Sequence, residues 1–294
     1  MGYHPDRARV RLPMRRSLFL LLAVLPSLAS IGQVNELGLT GGVAYYIGDL
    51  NPTKHYPKDT KLAYGIVYRN NLNDRFAVRL QGLIGTLQAY DSNASDSLQV
   101  LRNLHFKSRL IETSLLLEIN FFKYRSRGKD SRKWTPFVFG GIAYFRSNPQ
   151  ALLDDTWYDL QPLGTEGQGT STGGEVYAVD HMAIPFGMGI KVNLGRIDIQ
   201  LEWGMRRTWT DYIDDVSGKY VNNAVLAFEN GPLAAQLADR SGLEGAIPGY
   251  DNTGRARGDV NTRDWYVYNG LSITYILSKF SDCEEQYHWM KRKH

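Results

Sequence analysis

The chain has 294 residues, 43% of them hydrophobic and 22% charged, with a formal net charge of +4 and one cysteine. Residues 1–32 hold Arg7, Arg9, Arg11, Arg15 and Arg16 against Asp6, so the positive excess lies in that segment and the remainder is neutral. A basic surface for nucleic acid is therefore not expected, and a lone cysteine excludes an internal disulfide framework.

The N-terminus reads as an export signal. Met14 looks like the start, with residues 1–13 an upstream extension of the gene. Arg15 and Arg16 form a charged region, Leu18 to Leu28 is apolar but broken by Pro26, and Ser30-Ile31-Gly32 supplies small residues before a cleavage at Gln33. The run is too short for a spanning helix, which needs about 20 apolar residues. The reading therefore places a signal peptide at residues 14–32, one domain at 33–280 and a tail at 281–294.

The domain alternates apolar and polar residues in eight stretches. The first runs from Glu36 to Gly48, with Leu37, Leu39, Val43, Tyr45 and Ile47 on one face and Thr40, Gly42 and Ala44 on the other. The second, Tyr64 to Asn70, aligns Tyr64, Ile66 and Tyr68, and a turn of Asn71-Leu72-Asn73-Asp74 follows. The third, Phe76 to Ala89, sends Phe76, Val78, Leu80 and Ile84 outward and Arg79 and Gln81 inward. The fourth, Phe106 to Phe121, sets Ile111, Thr113, Leu115, Leu117, Ile119 and Phe121 against Glu112, Ser114, Glu118 and Asn120.

The fifth stretch, Trp134 to Ser147, is expected to carry Phe137, Phe139 and Phe145 outward, with Gly140 and Gly141 allowing a bend or bulge. The sixth, Met182 to Leu194, aligns Met182, Ile184, Phe186, Met188, Ile190 and Val192 against Gly187, Gly189, Lys191 and Asn193. Its Pro185 should sit near a strand end or bulge. The seventh, Ile197 to Trp209, alternates Ile197, Ile199, Leu201, Trp203 and Met205 with Asp198, Gln200, Glu202 and Arg206. The eighth, Trp265 to Leu277, aligns Val267, Leu271, Ile273 and Tyr275.

Long connections (49–62, 90–105, 148–181, 210–264) alternate with short ones (71–75, 122–133, 194–196). That rhythm predicts an all-β fold: an eight-stranded antiparallel up-and-down transmembrane barrel with long extracellular loops and both termini periplasmic. A barrel this narrow is filled by side chains. Arg79, Glu112, Glu118, Asp198, Glu202 and Arg206 face inward with mixed sign and are expected to pair across the lumen.

The pattern offers little chemistry. There is no HExxH and no His/Cys cluster, so neither a metal nor another cofactor is expected. Gly164 to Gly169 is Gly-rich but lacks the Lys and Ser/Thr of a phosphate loop. Asp180-His181 is a candidate base–orienter pair, with a solvated loop histidine as the plainer reading. Asp211, Asp214 and Asp215 could bind calcium, but lack an EF-hand pattern and read better as a loop cap or a surface carboxylate cluster. Ala224 to Ala238 offers Leu226, Phe228, Leu233 and Leu237 as one face of a short helical segment broken at Gly231-Pro232, either a lid or a docking surface. The candidate contacts at the short-turn end are Lys123, Arg125, Arg127 and Lys129 in a charged turn, and Cys283 and Trp289 in the tail.

Four motifs carry a family resemblance: Tyr45-Tyr46-Ile47-Gly48-Asp49-Leu50-Asn51-Pro52; Trp157-Tyr158-Asp159-Leu160-Gln161-Pro162-Leu163-Gly164-Thr165-Glu166-Gly167-Gln168-Gly169; Glu202-Trp203-Gly204 with Thr210-Asp211-Tyr212-Ile213-Asp214-Asp215-Val216-Ser217; and Arg263-Asp264-Trp265-Tyr266. In these the chain resembles the PorG-like outer-membrane β-barrel family of Bacteroidota, across essentially all of its mature length. The resemblance implies a non-enzymatic accessory of the type IX secretion system, in contact with outer-membrane lipids and with the periplasmic ring lipoprotein and its partner protein. In some bacteria that system also supports gliding. It implies no catalytic residues. A lipid-modifying barrel enzyme and a small porin or receptor remain as alternatives.

Overall fold

The computed structural model describes residues 34–124, 132–171, 173–243, 247 and 250–277. The signal peptide at 14–32, the extension at 1–13 and the tail with Cys283 and Trp289 lie outside the described residues, as do Arg125, Arg127 and Lys129 of the charged turn.

Eight long strands form the wall: β1 (Val34–Ile47), β2 (Lys61–Asn71), β3 (Phe76–Tyr90), β4 (His105–Asn120), β5 (Trp134–Leu153), β7 (Asp180–Asn193), β8 (Ile197–Thr208) and β9 (Trp265–Ile276). A short β6 (Thr156–Asp159) folds back on the end of β5. Each wall strand pairs antiparallel with its neighbour in sequence, and β1 also pairs with β9, which closes the sheet. This is a closed eight-stranded up-and-down barrel, and closure leaves no unpaired edge. The third long connection is shorter than expected, because β5 continues to Leu153 and makes a hairpin with β6 above the wall.

Local chemistry fixes the short turns. The Asn73 side chain accepts the Arg75 and Phe76 amides at 2.8 and 2.9 Å, an Asx turn. Gly195 sits at φ +87°, a conformation that favours glycine, and its amide donates to Asn193 Oδ1 at 3.2 Å. At the base of the charged turn the Tyr124 amide donates to the Asp74 carbonyl at 3.3 Å, so this turn packs against its neighbour. Lys123 is therefore placed at the short-turn end, together with both described chain ends: the Leu277 amide donates to the Asn35 carbonyl at 2.8 Å.

The outward faces are those expected, with one exception. Leu39, Leu62, Tyr64, Ile66, Met188 and Leu201 are each more than half exposed. A wall that holds such residues outward around a closed barrel is built for lipid. The exception is β5. Phe137, Phe139 and Phe145 point into the lumen, while Trp134, Ile142 and Tyr144 face out. Register explains the inversion. Phe139 pairs with the inward Glu118 of β4, and Phe137 and Phe139 lie directly opposite Gly189 and Gly187 of β7. The phenyl rings occupy the space those glycines leave: a Cβ on Gly189 would stand 2.6 Å from the Phe137 ring, and one on Gly187 would stand 2.8 Å from the Phe139 ring. Gly189→Val is accordingly expected to destabilise the barrel by about 1–3 kcal/mol through overpacking, read as a lower urea midpoint in detergent with an unchanged slope.

Pro185 lies in mid-strand, at neither an end nor a bulge. The β5–β7 register is the same on both sides of it (Gly140 with Phe186, Ala143 with Ala183), and the ladder is open opposite Gly141 and Ile142. The missing proline N–H removes a rung without inserting a residue. Gly141 is needed for close approach, since a Cβ there would meet the Leu115 carbonyl oxygen at 2.0 Å.

Candidate functional site

Two regions gather the polar side chains: the lumen and the cap made by the long loops.

In the lumen, strand alternation aims charges at one another across the barrel. Arg69 Nη1 is 2.8 Å from Glu36 Oε2, and Arg69 Nε is 2.9 Å from Glu118 Oε2. Arg79 Nε is 3.0 Å from Glu118 Oε1, its other end pairs with Glu202, and Lys191 Nζ pairs with Glu118. Among the described residues three carboxylates thus balance three cations, all buried. Arg79 also lies over the Phe139 ring at 4.9 Å and Lys191 over Phe137 at 4.5 Å, so the inverted phenylalanines help hold the cations. Above this node Arg206 Nε is 3.3 Å from Glu112 Oε2, which also accepts the Tyr266 hydroxyl at 2.8 Å. Around this pair and on toward the cap, Tyr46, Phe106, Phe145, Tyr266 and Tyr268 fill the bore.

Of the six expected lumen charges, Arg79, Glu112, Glu118, Glu202 and Arg206 enter ion pairs. Asp198 is buried near the short turn and hydrogen-bonded to Asn193. Glu36, Arg69 and Lys191 complete the node and were not in that set. Their signal was parity, since Glu36 shares a face with Thr40 and Arg69 opposes Tyr68. With ion pairs and aromatic rings across its bore, the barrel is expected to give no steady conductance in planar bilayers, and sustained openings from the purified wild-type chain would contradict that.

The cap draws residues from each of the four motifs, while Glu202-Trp203-Gly204 of the third lies in the β8 wall. Within it lie two short helices after β8, α2 (Asn223–Glu229) and α3 (Pro232–Ala238), and one between β3 and β4, α1 (Ser97–Arg102). Thr165 and Tyr177 of the third loop donate to Asp215 of the fourth, the tyrosine at 2.7 Å. Glu166 accepts the Ser217 amide at 3.0 Å and faces Arg257 Nη1 at 3.1 Å. Tyr177 and Tyr212 stack with centroids 4.5 Å apart. Arg102 joins the second loop to the rest, pairing with Asp91 at 2.7 Å and donating to the Arg257 carbonyl at 2.6 Å.

At the centre the Tyr46 hydroxyl is 2.5 Å from Asp214 Oδ2 and 2.7 Å from Asp264 Oδ1. Burial raises the pKa values of Asp214 and Asp264 well above the usual carboxylate range, and repulsion from neighbouring carboxylates adds to it. Burial also pushes Asp215 up to about 6 against the pull of Arg257, Asp211 up to about 7 and Asp49 up to about 6.

The cap reading of the aspartates is the one the geometry bears out. Asp214 and Asp215 turn into separate hydrogen-bonded groups, and among the described residues no set of three or more His, Cys, Asp or Glu could hold a metal ion. The helical segment is a lid on its Leu226 and Leu237 side, both buried. Phe228 lies off that face, 90% exposed. Asp180 and His181 leave opposite faces of β7: Asp180 lies 3.9 Å from Arg146 and His181 packs against Phe145, so they form no catalytic pair. His105 accepts the Leu152 amide at 2.9 Å and stacks on Tyr90, a structural role. The cap also holds a cleft of about 740 Å³, bounded by the first loop, α1 and residues 256–259.

A lipid-facing wall, a filled bore and a structured loop cap define a small membrane-spanning β-barrel of the outer-membrane kind. Residues 15–237 match the family described as a domain of unknown function, DUF6089, and the chain belongs to that family. No curated protein matches it. Among solved structures it is similar to Neisserial surface protein A (TM-score 0.38, 7% identity, covering 82% of this chain and 96% of that one). It is also similar to the attachment invasion locus protein Ail of Yersinia pestis (TM-score 0.35, 7% identity, 83% and 97%). A third is the N-terminal β-barrel domain of Pseudomonas aeruginosa OprF (TM-score 0.31, 11% identity, 83% and 98%).

Proposed function

We propose that this barrel is a non-enzymatic outer-membrane subunit of, or accessory to, the type IX secretion system, and that it anchors or positions the periplasmic ring components. The observation that carries the reading is the filled bore, because a barrel with no path through it must act through its rims. The resemblance of the loop motifs to the PorG-like family supplies the system. On this reading the short turns and both termini are periplasmic. The ring lipoprotein and its partner dock on the turn around Lys123, with Arg125, Arg127, Lys129 and the Cys283–Trp289 tail as further contacts.

The test is a clean deletion with complementation, following one cargo that carries a C-terminal sorting domain in cells and medium. Cargo held in the periplasm and released on complementation supports the role. Normal secretion overturns it.

A further inference from the structure

One stretch of the lipid-facing wall is concave. Gly41 points outward on β1, and nothing lies within 4 Å of the place a Cβ would take. Leu37 and Leu39 on β1, Leu271, Ile273 and Tyr275 on β9 and Ile197 on β8 surround the gap, forming an apolar groove of about 660 Å³. Register sets its direction. Gly41 pairs with Leu271, Leu39 with Ile273 and Leu37 with Tyr275, which in turn pairs with Ile197 beside the short turn. Four residues of strand separate the two ends, about 13 Å at the usual rise.

A cation stands at the turn end of this groove. Arg196 is exposed, and its Nη1 donates to the Tyr275 hydroxyl at 2.9 Å. Its neighbour Asp198 points into the barrel, and among the described residues no carboxylate pairs with Arg196. An apolar trough in the hydrocarbon layer, ending at the interface on a phenol and a guanidinium that has no carboxylate partner among the described residues, complements the acyl chain and phosphate of a glycerophospholipid.

We propose that the β1–β9 groove is a binding site for one anionic glycerophospholipid of the leaflet at the short-turn end. The acyl chain lies along Gly41 and Leu39, and the headgroup phosphate rests on Arg196 with Tyr275 beside it. Gly41 has a shaping role, since any larger side chain there fills the trough.

The test is native mass spectrometry of the full chain released from micelles doped with phosphatidylglycerol, or separately with diacylglycerol, which has the chains but no phosphate. Wild type is expected to retain one phosphatidylglycerol. Gly41→Leu should lower that occupancy about tenfold and lower diacylglycerol as well. Arg196→Gln, on an exposed turn, should lower phosphatidylglycerol about three- to tenfold and leave diacylglycerol unchanged. A wild-type chain released bare, or one whose phosphatidylglycerol occupancy is unmoved by either substitution, overturns the proposal. Heat-modifiable migration on gels verifies that each variant is folded.

Discussion

Replacing Glu118 by Gln is expected to destabilise the barrel by about 3–5 kcal/mol, because it leaves an uncompensated positive charge in a buried network. Glu118 is the hub: Arg69, Arg79 and Lys191 all pair with it, while Glu36 and Glu202 each take one of the arginines. The three cations stay buried after the substitution and share two carboxylates. Water cannot reach them to compensate, since each of the six residues is almost wholly inaccessible. The measurement is the urea midpoint of the refolded barrel in detergent.

Neutrality makes the argument specific. Adding Lys191→Met to Glu118→Gln returns the node to two cations and two carboxylates, and at least half of the lost stability should come back. If isolated contacts rather than charge balance mattered, the double variant would be worse than either single one. A Glu118→Gln barrel as stable as wild type would remove the network from the account of how this lumen is held.

The wall was legible because it obeys a period of two. In β4 the outward set Ile111, Leu115, Leu117 and Ile119 never mixes with the inward Glu112, Ser114, Glu118 and Asn120, so strand, face and charge follow from one reading. In β5 the same rule fails, since Trp134, Val138 and Ile142 alternate with Phe137, Phe139 and Phe145 and both faces are apolar. Only the partners decide, and the glycines opposite the phenylalanines sit some fifty positions away. Glu36 and Arg69 were missed for a different reason. They lie near the ends of their strands, where a short stretch gives few residues from which to fix parity.

The cap was legible as motifs and not as contacts. Tyr46, Asp214 and Asp264 each fall inside a segment that stood out in the sequence, yet nothing in loop sequence carries a period that would join them. Their meeting depends on barrel closure, which brings β1 beside β9. Phe228 shows the converse: it was grouped with Leu226, but the two stand two residues apart on the same helix α2, on nearly opposite faces, so burying Leu226 leaves Phe228 outside.

The cap is expected to loosen as pH rises, and proton counting shows why. The Tyr46 hydroxyl has a single proton and lies within hydrogen-bond distance of both Asp214 and Asp264. One proton cannot serve two charged acceptors, so one of the carboxyls carries its own and donates it. Burial and mutual repulsion hold that proton on the pair well above the usual carboxylate range. A carboxyl whose folded pKa is raised adds stability that is complete below its unfolded pKa and is lost as pH climbs through the folded value. Asp215 and Asp49 at about 6, and Asp211 at about 7, place the main loss between about pH 4 and pH 7, with the Asp214–Asp264 pair extending it upward. Hydrogen exchange, corrected for intrinsic rate, should therefore show residues 210–217 and 257–264 at least tenfold less protected at pH 8 than at about pH 5, with strands β2 to β4 unchanged. Asp214→Asn removes one ionisation from the pair and should flatten the profile, whereas Tyr46→Phe, which removes the central hydroxyl, should lower protection at every pH. Equal protection at the two pH values would mean that the aspartates are held by geometry alone and that the shared proton plays no part in closing the cap.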